Sequence, residues 1–275
     1  MPPVNSMDYS GKDTVLDVVR KESSDFFKLV DDPKNWKVQT RCTEWEVRDL
    51  VGHMIDVTEG YLDRWEKAQK GQKADVLPLR NMAELLNKGA QSFRKMPREE
   101  VLARWKKSSD KMVAIFDSLT EDQWSNFIVT HGYMGPLPSF FYPAFHVMDY
   151  GVHTWDIHYG LGEKTRRLDP RTSGVLIPYM LFALMPNTVD EAAARGLDLA
   201  YGLGISGDWG GNWRVTVKDG KWEAKPDDGS FHGCDAIFEY DPSDWVLTCY
   251  GRFPGGAARG DETVIAKVRH LFFAI

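Results

Sequence analysis

The sequence predicts an α+β protein in which an N-terminal up-down four-helix bundle precedes a small α+β domain. Three observations carry this. Apolar residues recur at helical spacing through much of the first part of the chain. After about residue 190 the pattern changes to short alternating stretches separated by Gly, Asp and Asn, as antiparallel strands and hairpins require. At 275 residues the chain is long for one core, and two domains are the better expectation. The boundaries these shifts suggest are a bundle over 1–165, a helical connector over 166–195 and a second domain over 196–275.

The first helix is read from Val15, Val19, Phe26 and Val30, with Lys21, Glu22 and Lys28 at the intervening positions. A second begins in "TEWEVRDLVGHMIDVTEGYLDRW", where Thr43 and Glu46 have the spacing of a capping box and the apolar stripe runs on to Trp65. "NMAELLNKGAQSF" and "PREEVLARWKKSSDKMVAIFDSL" form a third helical arm, broken near Met96, with Pro97 in the first turn of its second part. Thr120 and Gln123 repeat the capping-box spacing. "THGYMGPLPS" reads as a Gly- and Pro-rich loop leading into a helix from about Ser139 to Tyr159. One more apolar helix, "DPRTSGVLIPYMLFALM", contains Pro178 at a kink or near its start. Beyond it, "LDLAYGLGIS", "NWRVTVKDGKWEAKP" and "DAIFEYD" are strands, with Asp219-Gly220 at a hairpin turn, and "DPSDWVLTCYG" and "DETVIAKVRHLFF" are helices.

A net charge of −6, with no long run of like charges, gives no attraction to a phosphate backbone or an anionic bilayer. Nucleic-acid and membrane partners are therefore not expected. "MPPVNSMDYSGKD" has no basic stretch followed by an apolar core, and "VLIPYMLFALMP" is about half a membrane span, which predicts a cytoplasmic protein. Cys42, Cys234 and Cys249 are odd in number and widely spaced, which fits neither a disulfide framework nor a Cys-x-x-Cys zinc site, and all three read as small buried hydrophobes.

The chemistry concentrates in "FHVMDYGVHTWDIHYG", residues 145–160. On a helix, positions 146, 149, 153 and 156 share one face, so Asp149 and His153 lie one turn apart and can converge on a single cation. His53, amid the apolar residues of "LVGHMID", needs a partner as well, because an unpaired buried imidazole costs roughly 1–3 kcal/mol. Two readings fit the spacing. Either His53, Asp149 and His153 form an open metal site, or Asp149 bonds one histidine within a helix pair. His146 and Asp156 share the face as alternates or as groups that orient a ligand histidine. His158 points elsewhere, and His131 either lines a mouth or faces solvent. His232 and His270 have no partner pattern.

"TRCTEWEVRDLVGHM", with "HVMDYGVHTWDIHYGLG" about a hundred residues later, resembles the N-terminal domain of mycothiol-dependent maleylpyruvate isomerases, within the wider DinB-like group of four-helix metalloenzymes. The tail "DAIFEYDPSDWVLTCYGRFPGGAARGDETVIAKVRHLF" is similar to the sterol-carrier-like domain that accompanies it. The resemblance covers nearly the whole chain. It implies a metal, Zn²⁺ or another divalent ion, on His53, Asp149 and His153, with Asp149 standing where the family commonly has Glu. It also implies mycothiol or a related thiol as cosubstrate, activated as a metal-bound thiolate for S-transfer or cis-trans isomerisation of a small electrophile. A Zn²⁺ lowers the pKa of a bound thiol as it does that of water, so the enzyme needs no nucleophilic cysteine of its own.

Because family members acting on carboxylates use an arginine of the second domain, the resemblance casts Arg252 of "YGRFPGG" as a catalytic anion grip. His146, Tyr150 and Trp155, together with Tyr142, are the candidate substrate-binding residues, and Asp156 is the candidate orienting group. The aromatics are equally credible as core. The expected partners are a small thiol and an electrophilic substrate, with the chain a monomer or a homodimer. A non-catalytic carrier of a hydrophobic ligand, and a hydrolase using metal-activated water, are the alternatives.

Overall fold

The computed structural model describes residues 5–273. The first four residues, part of the stretch read as lacking a leader, lie outside these. The described chain divides into two compact units, Ser6–Leu168 and the chain from Asp169 onward together with Asn5. Segment 166–195, expected as a connector, is split at that boundary, and its helices belong to the second unit.

The first unit is built on four long helices. In α1 (Lys12–Asp31) the predicted stripe Val15, Val19, Phe26 and Val30 is fully buried. α2 (Val47–Gln69) starts one turn later than the Thr43–Glu46 spacing suggests, with Glu46 as N-cap and Asp49 closing the box through the Glu46 N–H at 2.9 Å. The delay has a local cause. A bridge between Gln39 and Glu46, reinforced by Gln39 Nε2 donating to the carbonyls of Cys42 and Trp45, holds residues 39–46 in a tight non-helical loop.

α3 (Met82–Gln91), a 3-10 turn at Ser92–Lys95 and α4 (Arg98–Ser118) form the broken arm, with Pro97 as the N-cap of α4. α3 packs closely on α2 because Gly52 has no side chain, and a Cβ there would meet the Ala90 carbonyl oxygen at 2.2 Å. α5 (Glu121–Asn126) has the predicted capping box of Thr120 and Gln123. Where a loop was expected, β1 (Ile128–His131) and β2 (Gly135–Pro138) form a two-stranded antiparallel hairpin. Pro136 and Pro138 lie in an edge strand, where a missing N–H is tolerated.

α6 (Phe141–Gly160) is buried almost all round, from Phe141 to Val147 and from Asp149 to Ile157, as a central helix should be. α1 lies chiefly against α6, and α2 against α3 and α4. The core between α2, α4 and α6 includes Leu50, Met54, Ile55, Trp105, Tyr150 and Ile157.

The second unit opens with α7 (Pro170–Tyr179), which runs into a π-helical turn at Met180–Leu184 and then α8 (Met185–Asn187) and α9 (Glu191–Ala194). The widened turn follows Pro178, whose ring removes one helical hydrogen bond. Five strands follow: β3 (Asp198–Ile205), β4 (Gly211–Lys218), β5 (Lys221–Pro226), β6 (Ala236–Tyr240) and, after α10 (Pro242–Cys249), β7 (Ala257–Gly260). The described chain ends with α11 (Glu262–Arg269) and the residues just after it.

The strand order is β5-β4-β3-β6-β7. Asp219 and Gly220, both at positive φ, make the predicted turn between β4 and β5. The sheet is mixed rather than antiparallel throughout, because β6 pairs with β3 in parallel. Among the described residues, no helix is long and apolar enough to cross a membrane.

Candidate metal centre

His53 of α2 and Asp149 and His153 of α6 meet inside the first unit. One ligand atom from each lies within 4.8 Å of the others, and the residues are 3%, 3% and 6% exposed. The imidazole rings of His53 and His153 stand 5.0 Å apart, centroid to centroid, at 87°.

His53 Nε2 is 3.5 Å from Asp149 Oδ1, long for a hydrogen bond. It is close to the separation of about 3.3 Å between two ligands that share one tetrahedral zinc at bond lengths of about 2.0–2.1 Å. Asp149 Oδ2 is buried and has no hydrogen-bond partner among the described residues, and neither has His53 Nδ1. A buried carboxylate without a donor is costly unless a cation faces it. The donor set, two imidazoles and one carboxylate, suits a divalent ion and leaves positions open, so these residues fit the metal. Asp149, though a methylene shorter than Glu, reaches the histidine pair.

The supporting groups lie within a few residues of the ligands. His153 Nδ1 donates to Asp156 Oδ2 at 2.9 Å, which leaves the lone pair on Nε2 for the group at His53 and Asp149. Burial holds the His153 ring below the usual histidine pKa, and the hydrogen bond to Asp156 opposes that shift. Asp156, fully buried, also accepts from the Cys42 thiol at 3.2 Å, and its carbonyl accepts from the Arg41 N–H at 3.1 Å. Cys42, His153 and Asp156 thus form a second close group that shares His153 with the first.

Trp45 covers both imidazoles, with ring centroids 4.8 Å from His53 and 5.7 Å from His153, and its indole N–H is tied to Asn87 Oδ1 at 2.9 Å. The loop carrying Arg41, Cys42 and Trp45 packs on the end of α6 at Gly160, where a Cβ would meet the Gln39 carbonyl oxygen at 2.2 Å. Sequence reasoning missed Trp45 and the role of Cys42, since no periodicity marks a loop. The only signal was their place in "TRCTEW", immediately ahead of the helix bearing His53.

The other candidates fall elsewhere. His146 donates from Nδ1 to the Tyr142 carbonyl at 3.2 Å, and its Nε2 is buried without a partner among the described residues. It stands outside the ligand group, with its ring against Phe116 at 5.1 Å. The Tyr150 hydroxyl accepts from the Trp105 indole at 3.1 Å and bonds Ser109 at 2.9 Å, and burial pushes its pKa up to about 12. Trp155 donates to the Arg166 carbonyl at 2.7 Å, and Tyr142 to that of Val129 at 3.2 Å. These three rings are packed within the helical unit.

His158 is half-buried and bonds Glu163 at 3.0 Å. His131 is 5% exposed rather than open to solvent. Arg252 lies in the second unit, in the turn after α10, where its Nη1 donates to the Tyr250 carbonyl at 2.9 Å.

The family model described as the mycothiol maleylpyruvate isomerase N-terminal domain matches residues 16–158. Among solved structures, the chain is similar to a mycothiol-dependent maleylpyruvate isomerase at 11% identity, with a TM-score of 0.56, covering 91% of this chain and 94% of that one. It is likewise similar to a histidine-to-alanine mutant of such an enzyme, at 12% identity and a TM-score of 0.57, with the same coverage. At this identity the likeness is one of fold. No curated protein matches the sequence. With more than half of its length inside the family model, this chain belongs to the mycothiol maleylpyruvate isomerase N-terminal domain family.

Proposed function

We propose that the protein is a metal-dependent enzyme that uses a low-molecular-weight thiol, mycothiol by analogy with its structural relatives, in S-transfer to or cis-trans isomerisation of a small electrophilic acid. The observation that carries this reading is the buried Asp149 carboxylate, whose Oδ2 has no hydrogen-bond donor among the described residues and which is grouped with two imidazoles. His53, Asp149 and His153 would hold the ion. A bound zinc or similar ion supplies Lewis-acid chemistry that lowers the pKa of a thiol at neutral pH.

The chain's own residues do the rest. Asp156 holds the proton on His153 Nδ1 and so keeps the Nε2 lone pair free. Trp45 shields both rings from water. No cysteine of the protein is asked to act as nucleophile, which agrees with Cys42 donating its proton to Asp156 and with burial pushing the Cys249 pKa up to about 12. Arg252 is proposed to bind an anion.

The test is His153→Ala. Bound metal, measured by elemental analysis, and thiol-consuming turnover against a panel of electrophiles that includes maleylpyruvate should be lost together, while helical circular dichroism is retained. Full activity in a metal-free variant would sink the reading. Purified wild-type protein without metal would point instead to a hydrophobic-ligand carrier, and hydrolysis without added thiol to metal-activated water.

A further inference from the structure

His131 ends β1 at the tip of the hairpin and is 5% exposed. Its Nδ1 accepts from the backbone N–H groups of Tyr133 at 3.2 Å and Met134 at 3.1 Å. A ring nitrogen that accepts carries no proton, so in the neutral imidazole the proton sits on Nε2. Main-chain geometry therefore fixes the tautomer. Burial, with the charge of Arg64, pushes the pKa down to about 4, and the ring stays an uncharged donor through the neutral range. Among the described residues, no group accepts from Nε2.

The ring is flanked by Phe145 at 4.8 Å and Tyr61 at 5.8 Å. Phe145 precedes Asp149 by one turn, about 6 Å along α6, and Tyr61 follows His53 by two turns on α2. Phe145 and Tyr61 thus connect His131 to the two helices that carry the ligand group, and the Asp149 charge acts on the ring, opposing the larger effects of burial and Arg64.

Arg64 backs the hairpin. Its Nη1 donates to the carbonyls of Asp75 at 2.9 Å and Thr130 at 3.1 Å. Gly132 permits the approach, since a Cβ there would stand 3.3 Å from Arg64 Nη2. An oriented neutral N–H beside a clamped guanidinium is chemistry that receives an oxygen anion.

We propose that His131 Nε2 donates a hydrogen bond to a carboxylate or carbonyl oxygen at the end of the substrate remote from the metal ligands, with Arg64 supplying the complementary charge. The hairpin then selects small organic acids. The assignment deepens the proposed function, because it rests on His53, Asp149 and His153 forming the other end of the site.

Maleate binding to the zinc-loaded protein, followed by calorimetry in the absence of thiol, tests it. In His131→Asn the amide oxygen replaces the Nδ1 acceptor and the donor at Nε2 is lost. In His131→Gln a donor stands near the place of Nε2. Loss of a hydrogen bond to a charged group is expected to weaken maleate binding about tenfold or more in His131→Asn, with bound zinc unchanged, and the effect in His131→Gln should stay within about threefold. The uncharged dimethyl ester should bind equally weakly to wild type and both variants.

Wild-type maleate affinity in His131→Asn, equal weakness in the two variants, or no maleate binding by the zinc-loaded wild type would overturn the assignment. Should the hairpin fail to form in His131→Asn, Arg64→Gln probes the same subsite, and unchanged maleate binding there would also overturn it. Because no turnover is measured, maleate binding without thiol consumption would defeat the proposed reaction and leave this subsite standing.

Discussion

Asp149 and Asp156, seven residues apart on α6, differ in role because of what faces them. Asp149 meets the His53 imidazole at 3.5 Å and has a carboxylate oxygen with no partner among the described residues, whereas Asp156 accepts from His153 and Cys42. Removing a metal ligand should abolish tight binding, while removing the group that orients one typically costs 10–100-fold. We therefore expect Asp149→Ala to hold no zinc, and Asp156→Ala to bind it about 10–100-fold more weakly in competition with a chromophoric chelator. Equal affinities in the two variants would contradict this division. His131 gives a pH dependence whose sign follows from its folded pKa of about 4, below the ordinary 6.5. Protonation favours the unfolded chain, so stability is complete above about pH 6.5 and falls as the pH drops toward 4, by at most about 3 kcal/mol from this residue. His146 and His153, also lowered by burial, steepen the same fall. Denaturant titrations of metal-free protein at pH 7 and pH 4.5 should show a smaller loss in His131→Asn than in wild type.

At the scale of elements, the site depends on how closely α2 is held by its neighbours. Gly52 sits beside His53 in sequence and lets the Ala90 carbonyl of α3 approach the helix. Gly52→Ala forces the two apart, and overpacking of this kind costs about 2–3 kcal/mol. The denaturation midpoint should fall by that equivalent, with zinc affinity falling too as His53 shifts. An unchanged midpoint would mean that α3 moves freely. The helices were legible in the sequence because Val15, Val19, Phe26 and Val30, and the stripe of α2, recur at the period that buries one face. The start of α2 was not, because Thr43 and Glu46 have the right spacing while the Gln39–Glu46 bridge holds the chain out of a helix there. Nor was the β1–β2 hairpin, whose Gly and Pro content reads as loop until the strands are seen to pair.

For the molecule as a whole, the division into two units governs how stability responds to metal. The three proposed ligands lie within Ser6–Leu168, so a metal bound there would favour that unit's folded state. At a zinc concentration of 100 times Kd the added stability is about 2.7 kcal/mol. Calorimetry should show a chelator lowering the unfolding temperature of the first unit while leaving that of the second in place. No shift of the first unit's unfolding temperature would count against the three named ligands. In the second unit, β3 to β6 were readable from their alternation, but the short β7 was not expected, and neither was the parallel pairing of β6 with β3, since β6 follows β5 in sequence and joins the sheet on the far side of β4 and β3.

What the sequence determined by itself is whatever depends on residues near one another along the chain. The spacing of Asp149 and His153 on one helix face, the apolar stripes and the Asp219-Gly220 turn are local, and the periodicity of the backbone converts them directly into structure. The tertiary structure decided what depends on distance in space. It brought His53 within 3.5 Å of Asp149 from ninety-six positions away, laid Trp45 over both imidazoles, and turned Tyr150 and Trp155 into the packing of the helical unit. Composition and spacing cannot distinguish a buried ring that packs from one that receives a ligand, because both are apolar positions on a helix. Only the neighbours that saturate its polar atom, or leave that atom open, tell them apart.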